Sequence, residues 1–237
     1  MSGIIDLHAL FFYVLFRSLK ETMADKNLPY KFITIEGNIG AGKTTLTHMV
    51  ARDFNYKIIL EEFSDNPFLP FFYSNPERYA FPVELFFMAE RHKQLQEELA
   101  KKDLFQQSVV SDYFFLKTLL FAKNNLNEEE YRLFQRLFDV LNLSFPSPDL
   151  LVYLHRPVEK LLESIKTRGR EYEQVIKSEY LQEIQGAYFG FFKTEVNFPV
   201  LIINLGDADF LNKTETYQSI IGLLNKKYPV GIHNVEL

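Results

Sequence analysis

The sequence lacks two residue types entirely: among its 237 residues there is no cysteine and no tryptophan. Without cysteine there can be no disulfide bond and no thiolate metal site, which fits a reducing compartment, and we expect a cytoplasmic protein. The net charge of −5 argues against a protein that coats nucleic acid or an anionic membrane, because neither would attract it over a distance. The histidines show no spacing typical of a metal site or a catalytic triad, and we assign no role to His8, His48, His92, His155 or His233.

Long apolar runs are also missing, and the apolar segment near the start, residues 4–16, is too short to span a membrane. It lacks the cationic start and the small-residue cleavage site of a secretory signal. Residues 1–28 are unlike the rest of the chain, and we interpret them as an extension of undetermined role or as a mis-assigned start, with Met23 as the alternative. Residues 29–237 are expected to form one domain.

What the sequence does contain is a complete phosphate-binding motif with the spacing G-x-x-x-x-G-K-S/T. It lies between a short apolar run, residues 32–35, and a helical pattern, residues 46–53. In such a loop the backbone N–H groups surround a phosphate chain, Lys43 reaches the β- and γ-phosphates, and Thr44 offers its hydroxyl to Mg²⁺. A chance glycine turn is the alternative, and the complete motif between strand and helix argues against it. The predicted ATP-binding residues are Gly37, Asn38, Ile39, Gly40, Ala41, Gly42, Lys43, Thr44 and Thr45.

From residue 31 onward strand and helix patterns alternate, which is typical of a parallel sheet covered by helices on both faces. We therefore predict a three-layer α/β fold of the P-loop NTPase type, with a lid that contains arginines. Its parallel sheet is predicted to have five strands, at residues 32–35, 57–60, 108–111, 150–154 and 200–204. Helices are predicted at residues 46–53, 81–102, 113–123, 128–143, 158–167, 180–195 and 214–227, with short helical turns at 66–79.

Ligands of open parallel α/β sheets bind at the carboxyl ends of the strands, and three polar features fall there. They are the phosphate loop, the pair Glu61-Glu62 after the second strand, and Asp112 after the third. One glutamate can act as general base toward an acceptor hydroxyl or be a solvated carboxylate, and the pattern alone does not decide. Asp112 is favoured as a ligand of Mg²⁺ through water. Arg168 and Arg170 end a helix, where they either stabilise a transferring phosphoryl group or complement the helix dipole.

The sequence resembles the deoxynucleoside kinases in an ordered set of motifs. These are the segment 35–44, Glu61 with the following Asn66-Pro67-Phe68, the stretch 73–79 with the pattern Tyr-x-x-Pro-Glu-Arg-aromatic, and Arg168-Gly169-Arg170 with Glu173. The resemblance covers residues 31–224 and is closer to this family than to thymidylate kinases. It implies phosphoryl transfer from ATP, with Mg²⁺, to the 5′-hydroxyl of a deoxynucleoside in nucleotide salvage.

The resemblance also implies a role for individual side chains. Glu61 would be the general base on the 5′-hydroxyl, and Glu62 stands where the family has proline. Lys43, Arg168 and Arg170 would neutralise the charge that develops on the phosphoryl group. The implied nucleoside-binding residues are Glu61, Tyr73, Glu84, Arg91, Asp112, Phe121 and Glu173, and the residues implied to receive the adenine of ATP are Asp209 and Phe210.

Within the implied nucleoside pocket, Tyr73 and Glu173 match residues that hold the sugar 3′-hydroxyl, which would favour deoxyribose. Arg91 matches an arginine that contacts the base, Phe121 is aligned with a stacking ring, and Glu84 stands where the family often has glutamine. As a carboxylate, Glu84 would only accept hydrogen bonds and would favour a base edge that offers donors. By likeness to bacterial members we expect a purine deoxynucleoside, and by likeness to the family we expect a homodimer.

Two positions depart from the family pattern. Tyr113 stands where the family has an arginine after the third strand, and Ser164 replaces another in the lid helix, where Lys166 is a candidate substitute. One alternative is therefore a thymidylate or other nucleoside-monophosphate kinase, although its acceptor would need cations where Tyr113 and Phe114 stand. The other is a non-catalytic nucleotide-binding scaffold of the same fold. It is opposed by the joint retention of Lys43, Thr44, Glu61 and Asp112.

Overall fold

The computed structural model describes residues 27–61, 66–100, 108–142, 146–194 and 196–237. Within these ranges, six parallel strands form one sheet in the order β2-β3-β1-β4-β5-β6. The strands are β1 (Phe32–Gly37), β2 (Lys57–Ile59), β3 (Val109–Ser111), β4 (Leu150–His155), β5 (Pro199–Asn204) and β6 (Gly231–Glu236).

Helices join the strands, because parallel neighbours need a crossover connection. None of the helices in the described ranges is long and apolar enough to cross a bilayer. They are α1 (Lys43–Phe54), α2 (Leu69–Phe72), α3 (Pro76–Ala100), α4 (Lys117–Asn125), α5 (Glu128–Asn142), α6 (Val158–Arg168), α7 (Ser178–Phe192) and α8 (Thr214–Leu224), with a 3-10 turn at Glu171–Glu173.

The inner strands are buried on both faces of the sheet, as β4 shows. Val152 and Leu154 pack into the core cluster on one face, whereas Leu151 and Tyr153 pack into the cluster on the other. Successive side chains of a strand point to opposite faces, so a continuous apolar run serves both cores. This is why the inner strands could be recognised as short apolar runs in the sequence.

The sheet has six strands rather than the five that the sequence predicts, and the missed strand is β6. It pairs with β5 from Gly231 opposite Pro199 to Glu236 opposite Asn204. Its side chains alternate between half-buried and exposed, so it lacks the apolar run that marks the inner strands. Pairing with β5 holds it in place, and Asn204 Nδ2 also donates to Glu236 Oε1 at 2.7 Å.

The largest errors in the predicted helix boundaries are at two helix starts, which differ from the structure by four residues or more. The helix predicted from residue 81 begins at Pro76, which suits the first helical position, and Pro82 lies inside it. The helix predicted from residue 113 begins at Lys117, after a turn at residues 115–116. Because α3 starts five residues earlier than predicted, Glu84 lies in its interior rather than in its first turn.

The predicted amino-terminal extension lies outside the described residues except for positions 27 and 28. Of these, Leu28 is buried in the same core cluster as Ile33 and Ile35. The domain boundary at residue 28 stays a prediction. Met23, the segment 4–16 and Glu62 also lie outside the described residues.

Candidate active site

The phosphate loop joins β1 to α1 and depends on its glycines. Gly40 and Gly42 have positive φ angles of 82° and 95°. A Cβ atom on Gly40 would lie 2.8 Å from the carbonyl oxygen of Leu161, and one on Gly42 would lie 2.8 Å from Cζ of Phe210. Both positions therefore require glycine, for the backbone conformation and for the close packing around the loop.

Lys43 begins α1, and its ammonium bonds back to the start of the phosphate loop. Nζ donates to the carbonyl oxygens of Gly37 and Asn38, each at 3.0 Å. Burial, followed by the positive charge of Lys117, lowers the pKa of Lys43 to about 8. The amide of Asn38 is buried and donates to the carbonyl oxygen of Leu181 at 2.7 Å. The Asn38 side chain therefore braces the loop against α7, and the contribution of this residue to phosphate binding would come from its backbone.

The hydroxyl of Thr44 and the carboxylate of Asp112 meet beside the loop. Thr44 Oγ1 donates to Asp112 Oδ2 at 2.5 Å, and Asp112 Oδ1 accepts from the N–H of Glu61 at 2.7 Å. Oxygen ligands of these kinds suit Mg²⁺, which at phosphate sites completes its shell with substrate oxygens and water. No cluster of three or more His, Cys, Asp or Glu side chains in the described ranges could hold a metal by itself. The pair therefore fits a Mg²⁺ ion that is shared with a bound phosphate.

A cavity of about 600 Å³ opens next to the phosphate loop, within the size range of small-molecule sites. Seven of the predicted site residues do not line this cavity. Five belong to the phosphate loop, namely Gly37, Asn38, Ala41, Gly42 and Thr45, and the other two are Asp209 and Phe210. The other predicted site residues are brought together around it. These are Ile39, Gly40, Lys43, Thr44, Glu61, Tyr73, Glu84, Arg91, Asp112, Phe121, Arg168, Arg170 and Glu173.

Glu61 lies in a buried cluster of charges just after β2. Its Oε1 accepts from Nε of Arg91 at 2.8 Å and also from Nη2, and its Oε2 accepts from Nζ of Lys117 at 2.6 Å. Burial acts to raise the pKa of Glu61, but the charges of Arg91 and Lys117 outweigh it and hold this pKa well below its usual range. Glu61 is therefore ionised at neutral pH and lines the cavity as a negatively charged acceptor.

Lys117 lines the cavity, and the sequence interpretation missed it. It gives the cavity a cation, whereas Tyr113, which stands where the family has an arginine, gives none. The side chain of Lys117 is buried, and Nζ lies 5.4 Å from the ring centre of Phe121. Tyr113 is buried away from the cavity, and its hydroxyl donates to Gln94 Oε1 at 2.6 Å. One signal was available: Lys117 is the single charge within residues 113–122. A lone charge in an apolar segment needs a buried partner, but the sequence does not say which one.

Arg91 lines the cavity, although most of its hydrogen bonds stay within the protein. In addition to its bonds with Glu61, Nη1 donates to Thr118 Oγ1 at 2.8 Å. The guanidinium carbon lies 5.0 Å from the ring centre of Phe87. In the structure Arg91 thus orients Glu61, and its contact with a base stays a prediction.

Glu173 holds both lid arginines at the mouth of the cavity. Its Oε2 pairs with Nη2 of Arg168, and its Oε1 accepts from Nη1 of Arg170 at 3.3 Å. Glu173 is buried, whereas both arginine side chains are more than one third exposed. Ser164 Oγ donates to a carbonyl oxygen one turn earlier. Lys166 is exposed and is not among the lining residues, so it does not take the place of the missing lid arginine.

Aromatic rings form much of the remaining wall. Tyr73 and Tyr180 meet edge to face with ring centres 6.0 Å apart, and Phe87 and Phe121 also line the cavity. Burial raises the pKa of Tyr73 well above its usual value, so its hydroxyl stays a neutral donor. Phe87 and Tyr180 were missed because aromatic residues at helical spacing look the same in sequence whether they line a core or a cavity.

Glu84 is buried on α3 and lines the cavity with half of its carboxyl unpaired. Oε1 accepts from Asn125 Nδ2 at 2.7 Å, and Oε2 has no hydrogen-bond partner among the residues that the structure describes. Burial raises the pKa of Glu84 to about 7. The prediction of a carboxylate that only accepts is therefore incomplete, because burial favours the protonated form of this carboxyl, which can also donate.

Asp209 and Phe210, the residues predicted to receive adenine, belong to the loop after β5. Phe210 is buried against Gly42 of the phosphate loop, and the guanidinium carbon of Arg156 lies 5.9 Å from its ring centre. The carboxylate of Asp209 accepts from the backbone N–H groups of residues 211–212, each at 3.0 Å. The loop thus lies beside the phosphate loop, and its contact with adenine stays a prediction.

Comparison with known proteins agrees with this geometry. The family model described as "Deoxynucleoside kinase" matches residues 33–228. The deoxyguanosine kinase of Bacillus subtilis (strain 168) is 34% identical over 192 residues, which is 78% of this chain and 91% of that protein. The deoxyadenosine/deoxycytidine kinase of the same organism is 31% identical over 207 residues, or 86% of this chain and 94% of that protein. The solved deoxyadenosine kinase from M. mycoides with bound dATP has a TM-score of 0.69 at 25% identity and covers 82% of this chain and 98% of its own. The predicted α/β fold with a parallel sheet is confirmed.

Proposed function

We propose a function from one established premise: this chain belongs to the deoxynucleoside kinase family. Relatives named as kinases of deoxyguanosine, deoxyadenosine and deoxycytidine support a deoxynucleoside kinase activity. In finer detail, the enzyme transfers the γ-phosphoryl group of ATP to the 5′-hydroxyl of a purine deoxynucleoside, deoxyadenosine or deoxyguanosine. One observation carries this proposal: the ionised carboxylate of Glu61 and the ammonium of Lys43 line the same cavity.

Glu61 receives the hydrogen of the 5′-hydroxyl in this proposal. Because Arg91 and Lys117 keep it ionised, a hydroxyl that enters the cavity meets a fully charged acceptor. A low pKa makes Glu61 a weak base, and this is compatible with a loose transition state in which the attacking oxygen loses its proton late. The main contribution of Glu61 is then to orient the hydroxyl for in-line attack.

The phosphate loop and the lid supply the positive charge. Lys43 Nζ can exchange its two carbonyl partners for phosphate oxygens, which are charged and therefore stronger acceptors. Thr44 and Asp112 would hold Mg²⁺, which when bound neutralises phosphate charge. Arg168 and Arg170 stand at the mouth and turn partly from Glu173 toward the phosphoryl group.

The aromatic end of the cavity takes the nucleoside. Tyr73 and Glu173 bind the sugar 3′-hydroxyl, with the neutral Tyr73 phenol able to donate and the Glu173 carboxylate able to accept. Phe87 and Phe121 offer flat apolar surface to the base. A cavity of about 600 Å³ is large enough for a purine nucleoside.

Two observations weaken the alternatives that the sequence leaves open. Both cations on the acceptor side, Arg91 and Lys117, are engaged by Glu61, which opposes an acceptor that already carries a phosphate. The buried Lys117 also adds a cation to the cavity that the sequence interpretation did not count, which weakens the argument for a non-catalytic scaffold.

We further propose that the enzyme is a cytoplasmic homodimer. The family resemblance supports both parts of this proposal. A groove between α4 and α7, whose lining includes Leu116, Leu120, Gly186 and Phe191, supports only the dimer. Light scattering across a dilution series measures the assembly. A monomeric mass at every concentration would refute the dimer.

The proposed reaction is tested by transfer of label from γ-phosphoryl-labelled ATP to each of the four deoxynucleosides and to dTMP. We expect transfer to the purine deoxynucleosides. Glu61→Gln should lower kcat by about 10²–10⁴-fold, the usual range for a general base, while ATP still binds. Glu159→Gln, at an exposed position of α6, is the matched control.

Each other outcome has a defined meaning. Transfer to dTMP alone would identify a monophosphate kinase, and ATP binding without any transfer would favour a scaffold. Near-normal turnover of Glu61→Gln would remove Glu61 from its proposed role.

A further inference from the structure

The proposed reaction leaves the carboxyl of Glu84 without a defined part. Its Oε1 is held by the amide of Asn125, whose Nδ2 also lies 3.3 Å from the hydroxyl of Tyr180. Its Oε2 is buried without a partner in the described part of the chain, although Glu84 lines the cavity. An unpaired buried polar atom costs free energy, so a ligand group that bonds Oε2 gains that energy on binding.

The surroundings of Glu84 contain charges, but most are already compensated. The cations Arg91 and Lys117 are both paired with Glu61, and burial keeps the neighbouring phenols neutral by raising their pKa values. Burial therefore outweighs the other influences on the pKa of Glu84. The charged or titratable groups around it are Arg91 on α3, Lys117 on α4, Glu61 after β2, Tyr73 after α2, Tyr180 on α7 and Glu173 in the 3-10 turn.

The two forms of the carboxyl match different base edges. With the Asn125 amide on Oε1, the proton of the acid form sits on Oε2, which then donates while Oε1 keeps one lone pair to accept. That donor–acceptor pair matches adenine and cytosine, each of which presents an amino donor beside a ring-nitrogen acceptor. The carboxylate form offers two acceptors. That pair matches guanine, whose N1–H and amino group are adjacent donors.

We propose that the protonation state of Glu84 selects between the purine bases, with the acid form binding deoxyadenosine and the carboxylate form binding deoxyguanosine. This inference rests on the proposed reaction and deepens it, because it names what sets the substrate class. An amide at this position presents a donor and an acceptor at every pH. A glutamate can present either pattern, and the side chain of Asn125 holds it in place for both.

The expected effect depends on the ionisation of the free enzyme, which governs kcat/KM. Between about pH 6 and about pH 8, one unit on either side of a pKa of about 7, the acid form falls from about 90% to about 10%. The kcat/KM for deoxyadenosine should fall about tenfold and that for deoxyguanosine should rise about tenfold, so that their ratio changes about 100-fold. Titration of Lys43, with a pKa of about 8, affects both substrates alike and cancels in the ratio.

The experiment measures this ratio across that pH range and, by calorimetry in buffers of different ionisation enthalpy, the protons exchanged on binding at pH 7. Deoxyadenosine binding should take up about half a proton, and deoxyguanosine binding should release about half. Glu84→Gln should abolish the proton uptake and the proton release, and it should make the kcat/KM ratio of the two nucleosides independent of pH. Glu97→Gln, at an exposed position of the same helix, should retain both.

A second variant keeps the proposal testable if Glu84→Gln does not fold. The Asn125 amide stabilises the carboxylate, so Asn125→Ala should raise the pKa of Glu84 and move the change of base preference to higher pH. A flat ratio in the wild type, or proton exchange of the same sign for both nucleosides, would overturn the proposal. If neither nucleoside binds or is phosphorylated, the proposed reaction itself fails, which is a distinguishable result.

Discussion

Replacement of Lys117 by methionine tests whether this buried cation serves the reaction. Methionine keeps part of the apolar stem beside Phe121 and removes the charge. Lys117 Nζ lies 2.6 Å from Glu61 Oε2, and the two side chains are only 7% and 18% exposed. At an effective dielectric constant of about 20, unit charges about 4 Å apart attract by about 4 kcal/mol. Part of this is offset because the buried ammonium is itself removed, and Glu61 keeps Arg91, so the free energy of unfolding should fall by about 2 kcal/mol.

The catalytic effect should be larger than the effect on stability. Removal of one preorganised electrostatic group from an active site typically costs about 10²–10³-fold in kcat, or about 2.7–4 kcal/mol. The pKa of Glu61 also rises when Lys117 is lost, because Lys117 is one of the charges that lower it. We expect Lys117→Met to lower kcat by at least about 100-fold while leaving ATP binding measurable.

Steady-state transfer from labelled ATP and urea denaturation, run on the same preparations, separate the two effects. Lys117→Arg should recover part of kcat because the charge is kept. Lys166→Met, which removes the exposed lysine that the sequence offered as a substitute for the lid arginine missing at Ser164, should behave as wild type. A normal kcat for Lys117→Met, or an equal loss for Lys166→Met, would refute the role of Lys117.

Two further predictions concern stability. Gly42→Ala would place a Cβ 2.8 Å from Cζ of Phe210 at a φ of 95°, so the free energy of unfolding should fall by about 1–3 kcal/mol and ATP should bind more weakly. Thermal denaturation with and without ATP measures the loss of stability and the weaker binding. Gly222→Ala is the control, because its Cβ would meet nothing within 4 Å. Equal behaviour of the two variants would contradict the reasoning. The pKa of Glu84 is raised from 4.5 to about 7 by burial. The contribution of this carboxyl to the free energy of unfolding is therefore fully present below pH 4.5 and is lost as pH rises through about 7. As pH rises between these limits, the free energy of unfolding of Glu84→Gln should increase by about 3 kcal/mol relative to that of the wild type. Urea denaturation at pH 4.5 and pH 8 measures the difference, and a gain that does not depend on pH would show that Glu84 is not the titrating group.

Features that depend on local pattern could be predicted from the sequence. The phosphate loop has a fixed spacing because Gly40 and Gly42 need positive φ angles and room for neighbouring atoms. The inner strands are continuous apolar runs because both faces of the sheet are covered. β6 has no such run, since its exposed side chains alternate and its formation depends on pairing with β5.

Features that depend on pairing across the cavity could not be predicted. Lys117 and Glu61 are 56 positions apart in the chain, and Asn125 and Glu84 are 41 apart. Resemblance to the family predicted Glu61 and Glu84 as site residues, but their ionisation depends on partners that only the folded chain brings near. Sequence proximity to the lid arginines likewise favoured Lys166 as a substitute for the arginine missing at Ser164, but its side chain is exposed and is not among the lining residues of the cavity.

The two glutamates of the cavity show how neighbours divide one residue type between two tasks. Burial acts on both, and it would raise the pKa of each carboxyl. At Glu61 two buried cations outweigh burial, so the carboxylate stays ionised, as its proposed role toward the hydroxyl requires. At Glu84 the only direct partner in the described part of the chain is a neutral amide, so burial prevails and the carboxyl keeps its proton up to about pH 7. Pairs of carboxyls with pKa values pushed apart are typical of sites that separate two roles. Here the separation would leave the charge of Glu61 unaffected by pH near neutrality, while the charge of Glu84 responds to it.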